Sequence, residues 1–269
     1  MSQSAYVHGY NTDETTRLQD QAATLVELLH GDTKYPAGSR VLEAGCGVGA
    51  QTVTLARQSP DADITAVDIS AESVAEAKRR IEAEGIANVS FQQADIFNLD
   101  FAPETFDHIF VCFVLEHLPE PEKALRALSH ILKIGGSMTV IEGDHGSAYF
   151  HPDNTYAQAV IDCQITLQAQ AGGNANIGRE LYPLLTASGF EQVQVSPRMV
   201  YVDGSRPHLI DGFTRKTFTA MIEGIRERAV AANLISVQAF DTGVNALYQT
   251  ASEQGTFSYT FFKARAVRS

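Results

Sequence analysis

The chain has 269 residues, 44% of them hydrophobic and 19% charged, enough apolar material for one elaborated α/β domain with a real core. Its formal net charge of −12 gives no general attraction to a phosphate backbone and argues against nucleic acid as the main partner. There is no apolar run of about 18 residues to span a membrane, no basic leader with an apolar core, and no CxxC among Cys46, Cys112 and Cys163. The expectation is a cytoplasmic protein with buried thiols and no membrane partner.

In chain order, residues 13–30 place Leu18, Ala22, Leu25 and Leu29 at helical spacing, and Gly31 and Asp32 end that helix. "RVLEAG" (40–45) is a short apolar strand closing on glycine, "AQTVTLARQ" a helix, and "DITAVDIS" a second strand. "SAESVAEAKRRIEAEG" reads as a helix with Ser70 or Ala71 near its cap and Gly85 at its end. "VSFQQAD" and "FDHIFVCFVL" are strands, and "PEKALRALSHIL" is a helix stopped by Gly135 and Gly136. "SMTVIEGD" is a fifth strand. Strands alternating with helices imply βαβ units and a parallel sheet.

After residue 145 the rhythm changes. Helices are expected over about 153–171 and 178–188, then a strand over 191–202. A helical stretch over 207–250 interrupts the sheet pattern, and "TFSYTFFKARAV" alternates like a final antiparallel strand. The expected organisation is one domain over 1–269. Its core spans 38–202 and 255–269, with a helical cover over 1–31 and a helical lid over 207–250.

The turn after the first strand, "EAGCGVGA", holds Gly45, Gly47 and Gly49. Glycine is needed where a backbone turns sharply and comes close to a ligand. A dinucleotide fingerprint spaces its glycines G-x-G-x-x-G and seats a pyrophosphate on the following helix. Here the spacing is G-x-G-x-G, and Glu43 precedes it. A carboxylate there would repel a pyrophosphate but attract an ammonium group. Asp68, ending the second strand, can accept hydrogen bonds from both ribose hydroxyls of an adenosine. The combination favours a nucleoside with a cationic amino-acid tail, as in S-adenosylmethionine.

"VLEAGCGVGAQT", "AVDIS", "QADIFNLDFAPETFDHIFVCFVLEHL" and "ILKIGGSMTVIE" resemble, in order, the motifs of class I S-adenosylmethionine-dependent methyltransferases. The small-molecule group that includes the quinone-biosynthesis methyltransferases is the most similar type, over about residues 38–145. The resemblance implies a Rossmann-like, doubly wound α/β fold. Its seven-stranded sheet would be mostly parallel, with an antiparallel last strand and a helical cap. It implies S-adenosyl-L-methionine as cofactor, S-adenosyl-L-homocysteine as product, and a small-molecule acceptor. Glu43 and the turn at Gly45, Cys46, Gly47 and Gly49 would hold the methionine end, Asp68 and Ile69 the ribose, and Asp95 and Ile96 the adenine. Cys112, Phe113 and His117 would line the sulfonium side. Tyr10 and Gln21, in a segment that folds over the cofactor in such proteins, would add contacts. Read structurally instead, Glu43 is a paired strand-end acid, Asp95 a helix N-cap and His117 a loop-capping histidine.

"EGDHGSAYFHPD" puts Asp144, His145, His151 and Asp153 in one expected loop after the fifth strand, at the carboxyl edge where α/β ligands sit. The His-x5-His spacing is no standard metal signature, and no metal is expected. His145 is the candidate base for an acceptor that must lose a proton, with Asp144 orienting it. Tyr259 and Lys263 match the spacing of a dehydrogenase pair, but in an alternating strand they read as coincidence. The alternatives to a methyltransferase are an NAD-dependent Rossmann oxidoreductase and a non-catalytic cofactor-binding regulatory protein. The acceptor and the oligomeric state stay open; a homodimer is compatible with the sequence.

Overall fold

The computed structural model describes residues 24–269. Seven strands form one sheet in the order β3-β2-β1-β4-β5-β7-β6. They are β1 (Arg40–Ala44), β2 (Asp63–Asp68), β3 (Val89–Gln93), β4 (Phe106–Cys112), β5 (Leu132–His151), β6 (Phe190–Val202) and β7 (Thr256–Arg268). β1 pairs in parallel with both β2 and β4, β2 with β3, and β4 with β5. The order reverses at β1, the kind of switch point outside which α/β proteins bind ligands. β7 runs antiparallel to β5: the Thr260 N–H reaches Ser147 Oγ at 2.9 Å and the Ser258 hydroxyl reaches the Tyr149 carbonyl at 3.4 Å.

Contacts divide the chain into two compact units. The sheet unit comprises Leu29–Glu142, Ile177–Pro197 and Phe262–Ser269. The helical unit comprises Gly143–Asn176 and Arg198–Phe261 with the described residues up to Leu28.

In the sheet unit, α1 (Ala50–Gln58) buries Thr52, Leu55 and Ala56, and α2 (Ala71–Ala83) buries Ser73, Ala77 and Ile81. Ser70 caps the second of these by accepting the Ser73 N–H at 3.2 Å, and Gly85, at φ 66°, follows its end. A further helix (Pro121–Ile131) starts on proline and turns Ala124, Leu125, Leu128 and Ile131 inward. Leu125, Leu128 and Ile131 join Leu42, Ala44, Ile109, Val111, Met138 and Val140 in one core cluster. The helix ends at Ile131, before Gly135 and Gly136, because β5 begins at Leu132. Gly136 lies within that strand, where a Cβ would stand 2.8 Å from the Asp107 carbonyl oxygen.

In the helical unit, residues 24–30, which run into the sheet unit, are helical and bury Leu25. A long helix (Thr155–Gln170) is capped by Asn154, which accepts the N–H groups of Tyr156 and Ala157. Its neighbours are helices over Ala220–Glu223, Arg226–Ala231 and Val237–Thr250, and a π-helical stretch (Ile210–Thr219) packs on the last of these.

The expected loop over 143–153 is corrected by the structure. β5 continues as strand to His151. β4 stops pairing at Cys112–Ile141, so the next N–H groups of β5 need other partners. The His145 N–H finds the Ala175 carbonyl at 3.0 Å and the Gly146 N–H finds Asn176 Oδ1 at 2.8 Å. Pairing with β7 carries the strand onward despite its turn-like glycines.

Candidate functional site

The glycine turn lies at the switch point. Gly45 and Cys46 both donate their N–H to the Val67 carbonyl, at 2.8 and 2.9 Å, which folds the chain back over the end of β2. Gly45 stands at φ 81° and Gly49 at φ 77°, where a side chain is strained in any surroundings. A Cβ at Gly45 would overlap Val114 Cγ2, and one at Gly49 would sit 3.0 Å from the Cα and Cβ of Ala77. At Gly47, φ 50°, nothing lies within 4 Å of a Cβ position, so open space faces the middle of the turn.

Asp68 ties the turn to the next helix. Its Oδ2 accepts the Gly47 N–H at 2.8 Å and its Oδ1 the Ser70 N–H at 2.9 Å, leaving each oxygen a second lone pair. Burial raises its pKa while these N–H groups oppose the shift. Ile69 beside it is exposed.

Glu43 is buried, and its Oε2 has no hydrogen-bond partner among the described residues. Burial, with the like charge of Asp68 adding to it, pushes the Glu43 carboxyl up to about 8. An acid kept in this way is matched by a donor or a cation. Cys46 and Cys112 are buried free thiols, both pushed up by burial and by neighbouring acids, which removes them as nucleophiles.

Asp95 accepts the Phe97 N–H at 3.0 Å within a turn, with no helix following for it to cap as the structural reading had it, and Ile96 packs on the core. At the end of β4 the chain turns outward through Phe113, a non-glycine residue at φ 58°. Such strain persists only where the surroundings enforce it, and it clusters at functional corners. The enforcing group is Glu142, which sequence reasoning missed: its Oε1 accepts the N–H groups of Val114 and Leu115 at 3.0 and 2.8 Å. The only sign in the sequence was an acid inside an apolar strand, the sign that singled out Glu43. His117 lies on the same corner, its Nε2 3.7 Å from Glu116 Oε1.

The sheet unit thus brings together Glu43, Gly45, Cys46, Gly47, Gly49, Asp68 and Ile69 around one turn, with Cys112, Phe113 and His117 at the neighbouring corner. Tyr10 and Gln21 lie outside the described residues.

In the helical unit, Asp144 and His145 are both buried, on successive positions of an extended strand. Successive side chains of a strand point to opposite faces, so Asp144 is not placed to orient the ring. The Nδ1 of His145 is instead 2.7 Å from the hydroxyl of Tyr259. Phe218 flanks both rings, at 6.2 Å from His145 and 5.5 Å from Tyr259. Gly143 makes room for the tyrosine, since a Cβ there would overlap its hydroxyl. Lys263, the other half of the apparent dehydrogenase pair, belongs to the sheet unit. There its ammonium donates to Asp32 Oδ1, Thr33 Oγ1 and the Leu29 carbonyl at 2.6, 2.6 and 3.1 Å. Both residues have other duties, as the strand reading implied. Among the described residues no group of His, Cys, Asp and Glu is arranged to hold a metal ion.

A family profile described as a methyltransferase domain matches residues 36–189. Over 262 residues the chain is 24% identical to the 27-O-demethylrifamycin SV methyltransferase of Amycolatopsis mediterranei (strain S699), covering 96% of this chain and 88% of that protein. It spans only 36% and 49% of the length of two other curated relatives, 34% and 29% identical. Among solved structures, the [4+2]-cyclase SpnF matches with a TM-score of 0.57 at 22% identity, over 93% of this chain and 81% of that one. Haemonchus contortus phosphoethanolamine N-methyltransferase 2, solved with phosphomonomethylethanolamine and S-adenosylhomocysteine, matches with a TM-score of 0.56 at 18% identity. That match covers 93% of this chain and 52% of that one. Likeness at these identities establishes the fold alone.

Proposed function

Because the chain belongs to the methyltransferase-domain family, we propose that it transfers the methyl group of S-adenosylmethionine to a small organic acceptor. The observation that carries this reading is Glu43: a buried carboxyl with an unpartnered oxygen, two residues before a turn of three left-handed glycines. A pyrophosphate would be repelled there, whereas an ammonium group supplies the missing donors. The residues present therefore fit a cofactor with an amino-acid tail better than a dinucleotide.

In this reading Glu43 and the turn at Gly45, Cys46, Gly47 and Gly49 hold the methionine end. The remaining lone pairs of Asp68 receive the ribose hydroxyls, with Ile69 beside them. Asp95 and Ile96 border the adenine. Cys112, Phe113 and His117 lie toward the sulfonium. The cofactor supplies an electrophilic methyl carbon whose leaving sulfur loses its positive charge, so little acid catalysis is demanded. The protein's contribution is position: acceptor and methyl about 3 Å apart, with water excluded.

The acceptor is chosen by the helical segment 207–250, which lies outside the family match at residues 36–189. Where that acceptor gives up a proton, His145 takes it, its imidazole held through Nδ1 by the Tyr259 hydroxyl. The three buried, unbridged cysteines support placement in the cytoplasm. Among the described residues no helix is long and apolar enough to cross a membrane.

The test has two parts. S-adenosylhomocysteine at millimolar concentration is expected to raise the melting temperature, and NAD to leave it unchanged. Methyl-labelled cofactor is then expected to label one acceptor from a panel of small hydroxyl, amine and thiol compounds. A shift with NAD alone would replace the reading with an oxidoreductase. Binding without label transfer to any acceptor would favour a regulatory protein.

A further inference from the structure

Glu142 is fully buried one residue beyond the last β4–β5 pair. Its Oε1 holds the amides of Val114 and Leu115, at the corner that Phe113 enters in a left-handed conformation. Val114 in turn fills the space against Gly45 that a Cβ would need. Glu142 therefore fixes the wall against which the glycine turn is built.

That tether needs no charge. The carbonyl oxygen of a glutamine would accept the same two N–H groups, while a buried carboxyl carries a desolvation cost. The second oxygen of Glu142 is buried without a hydrogen-bond partner among the described residues, as is that of Glu43. The thiol of Cys112 is pushed well up by burial and then by Glu142, Glu43 and Glu116, with Lys263 opposing, so the three acids converge on one strand end. The Glu116–His117 pair, 3.7 Å apart from Oε1 to Nε2, lies at the same corner. Burial and then the neighbouring Glu116 push the Glu142 carboxyl well above the usual carboxylate range, against the N–H groups that it accepts.

We propose that Glu142 is a charge-sensing positioning residue that makes the site prefer the cationic sulfonium of S-adenosylmethionine to the neutral thioether of S-adenosylhomocysteine. This rests on the cofactor reading above. Both ligands carry an ammonium group, so Glu43 serves both alike. Only the methyl donor carries a second positive charge, and in a poorly solvated corner that charge favours the ionised carboxyl. Binding of the donor drives one proton from Glu142 to solvent. When the methyl leaves, the sulfur keeps the electron pair of the broken bond and becomes neutral. The carboxyl then recovers a proton, and the product is held more weakly than the donor was.

The experiment is calorimetry on the full chain with each ligand, at pH 7.5 in two buffers of different ionisation enthalpy. The native protein is expected to bind S-adenosylmethionine about tenfold more tightly than S-adenosylhomocysteine. It should also release more protons with the donor than with the product. Glu142→Gln keeps the tether and is expected to lose about tenfold in donor affinity, to change product affinity by less than threefold, and to abolish the proton difference. Equal losses for both ligands, or a proton difference that survives the substitution, would overturn the proposal. The native proton difference needs no variant, so a Glu142→Gln protein that failed to fold would leave a decisive measurement: no difference would also refute it. If neither ligand binds the native protein, the cofactor reading itself fails, and this inference with it.

Discussion

The glycine turn of the sheet unit and the π-helical stretch Ile210–Thr219 of the helical unit both depart from regular backbone, but they are encoded differently. At the turn, Gly45, Gly47 and Gly49 all adopt positive φ, a conformation that names its own residue type. In the π-helical stretch, Phe213 and Phe218, and Thr214 and Thr219, are buried pairs five residues apart. The Thr217 hydroxyl likewise donates to the carbonyl of Gly212, five residues earlier, at 2.7 Å. That period belongs to the wider helix, whose short segments are common at functional sites. No residue type demands it. Local constraint specifies the first region, and tertiary packing the second.

The sharpest way to break this contrast is Gly45→Ala. The added methyl would overlap Val114 while the backbone stays left-handed. Strain and overpacking together should cost about 3 kcal/mol or more and remove cofactor binding. Gly47→Ala meets open space and should cost only about 1–2 kcal/mol, the left-handed penalty, while still blocking close approach of a ligand. Urea unfolding and calorimetry on both variants check the ranking. Equal stabilities would mean that the turn is not packed as described.

This contrast also explains what could be read from the chain. The βαβ rhythm, the Ser70 cap, the Gly85 terminator and the strand-end acids Glu43 and Asp68 are all visible because each is marked by residues close together in the chain. Glu142 escaped notice because its partners, Val114 and Leu115, lie 28 and 27 residues away. The continuation of β5 through "GDHGS" was invisible because its pairing with β7 lies more than 100 residues downstream. Tyr259 shows in the sequence only a coincidental spacing with Lys263, since nothing near it announces His145, 114 residues away.

If the helical unit serves the acceptor and the sheet unit the cofactor, their variants should separate by readout. With an acceptor that loses a proton, His145→Ala should lower turnover by about 10²–10⁴-fold, the range for a general base. Cofactor affinity should stay within about threefold, and the pH–rate profile should lose one limb. Tyr259→Phe keeps the ring and deletes the hydroxyl 2.7 Å from Nδ1. It should cost about tenfold in kcat, the scale of one buried hydrogen bond. Full activity in both variants would remove the pair from the mechanism.

A smaller effect is expected from pH acting on Glu43. Its carboxyl titrates at about 8 when folded, against an ordinary 4.5. The folded protein thus holds a proton that the unfolded chain releases. This contribution to stability is fully present below about 4.5 and is lost as pH rises from there to about 8. Glu43→Gln should flatten that part of the stability curve while weakening S-adenosylmethionine by about tenfold, through loss of the charge opposite its ammonium. The same titration repeated with saturating ligand should show the native midpoint shifted downward.

The smallest effect, and the finest test of the contrast, concerns Thr214 and Thr219. Both are fully buried, and their hydroxyls have no hydrogen-bond partner among the described residues. Valine has nearly the same shape and remains β-branched, so Thr214→Val changes little in packing. It removes a buried polar group whose desolvation costs about 1–3 kcal/mol when unsatisfied. The variant is therefore expected to be more stable than the native protein by about 1 kcal/mol, with cofactor affinity unchanged. Such a gain, so easily reached by one substitution, implies that the hydroxyl is kept for something other than folding. If it is kept for the acceptor, KM should rise severalfold in Thr214→Val while kcat falls little, and Thr219→Val should behave alike. A variant that is less stable than the native protein would show that the hydroxyl already has a partner within the fold. A more stable variant with unchanged KM would take the π-helical stretch out of acceptor recognition, leaving the aromatic shell around His145 as the remaining candidate within the helical unit.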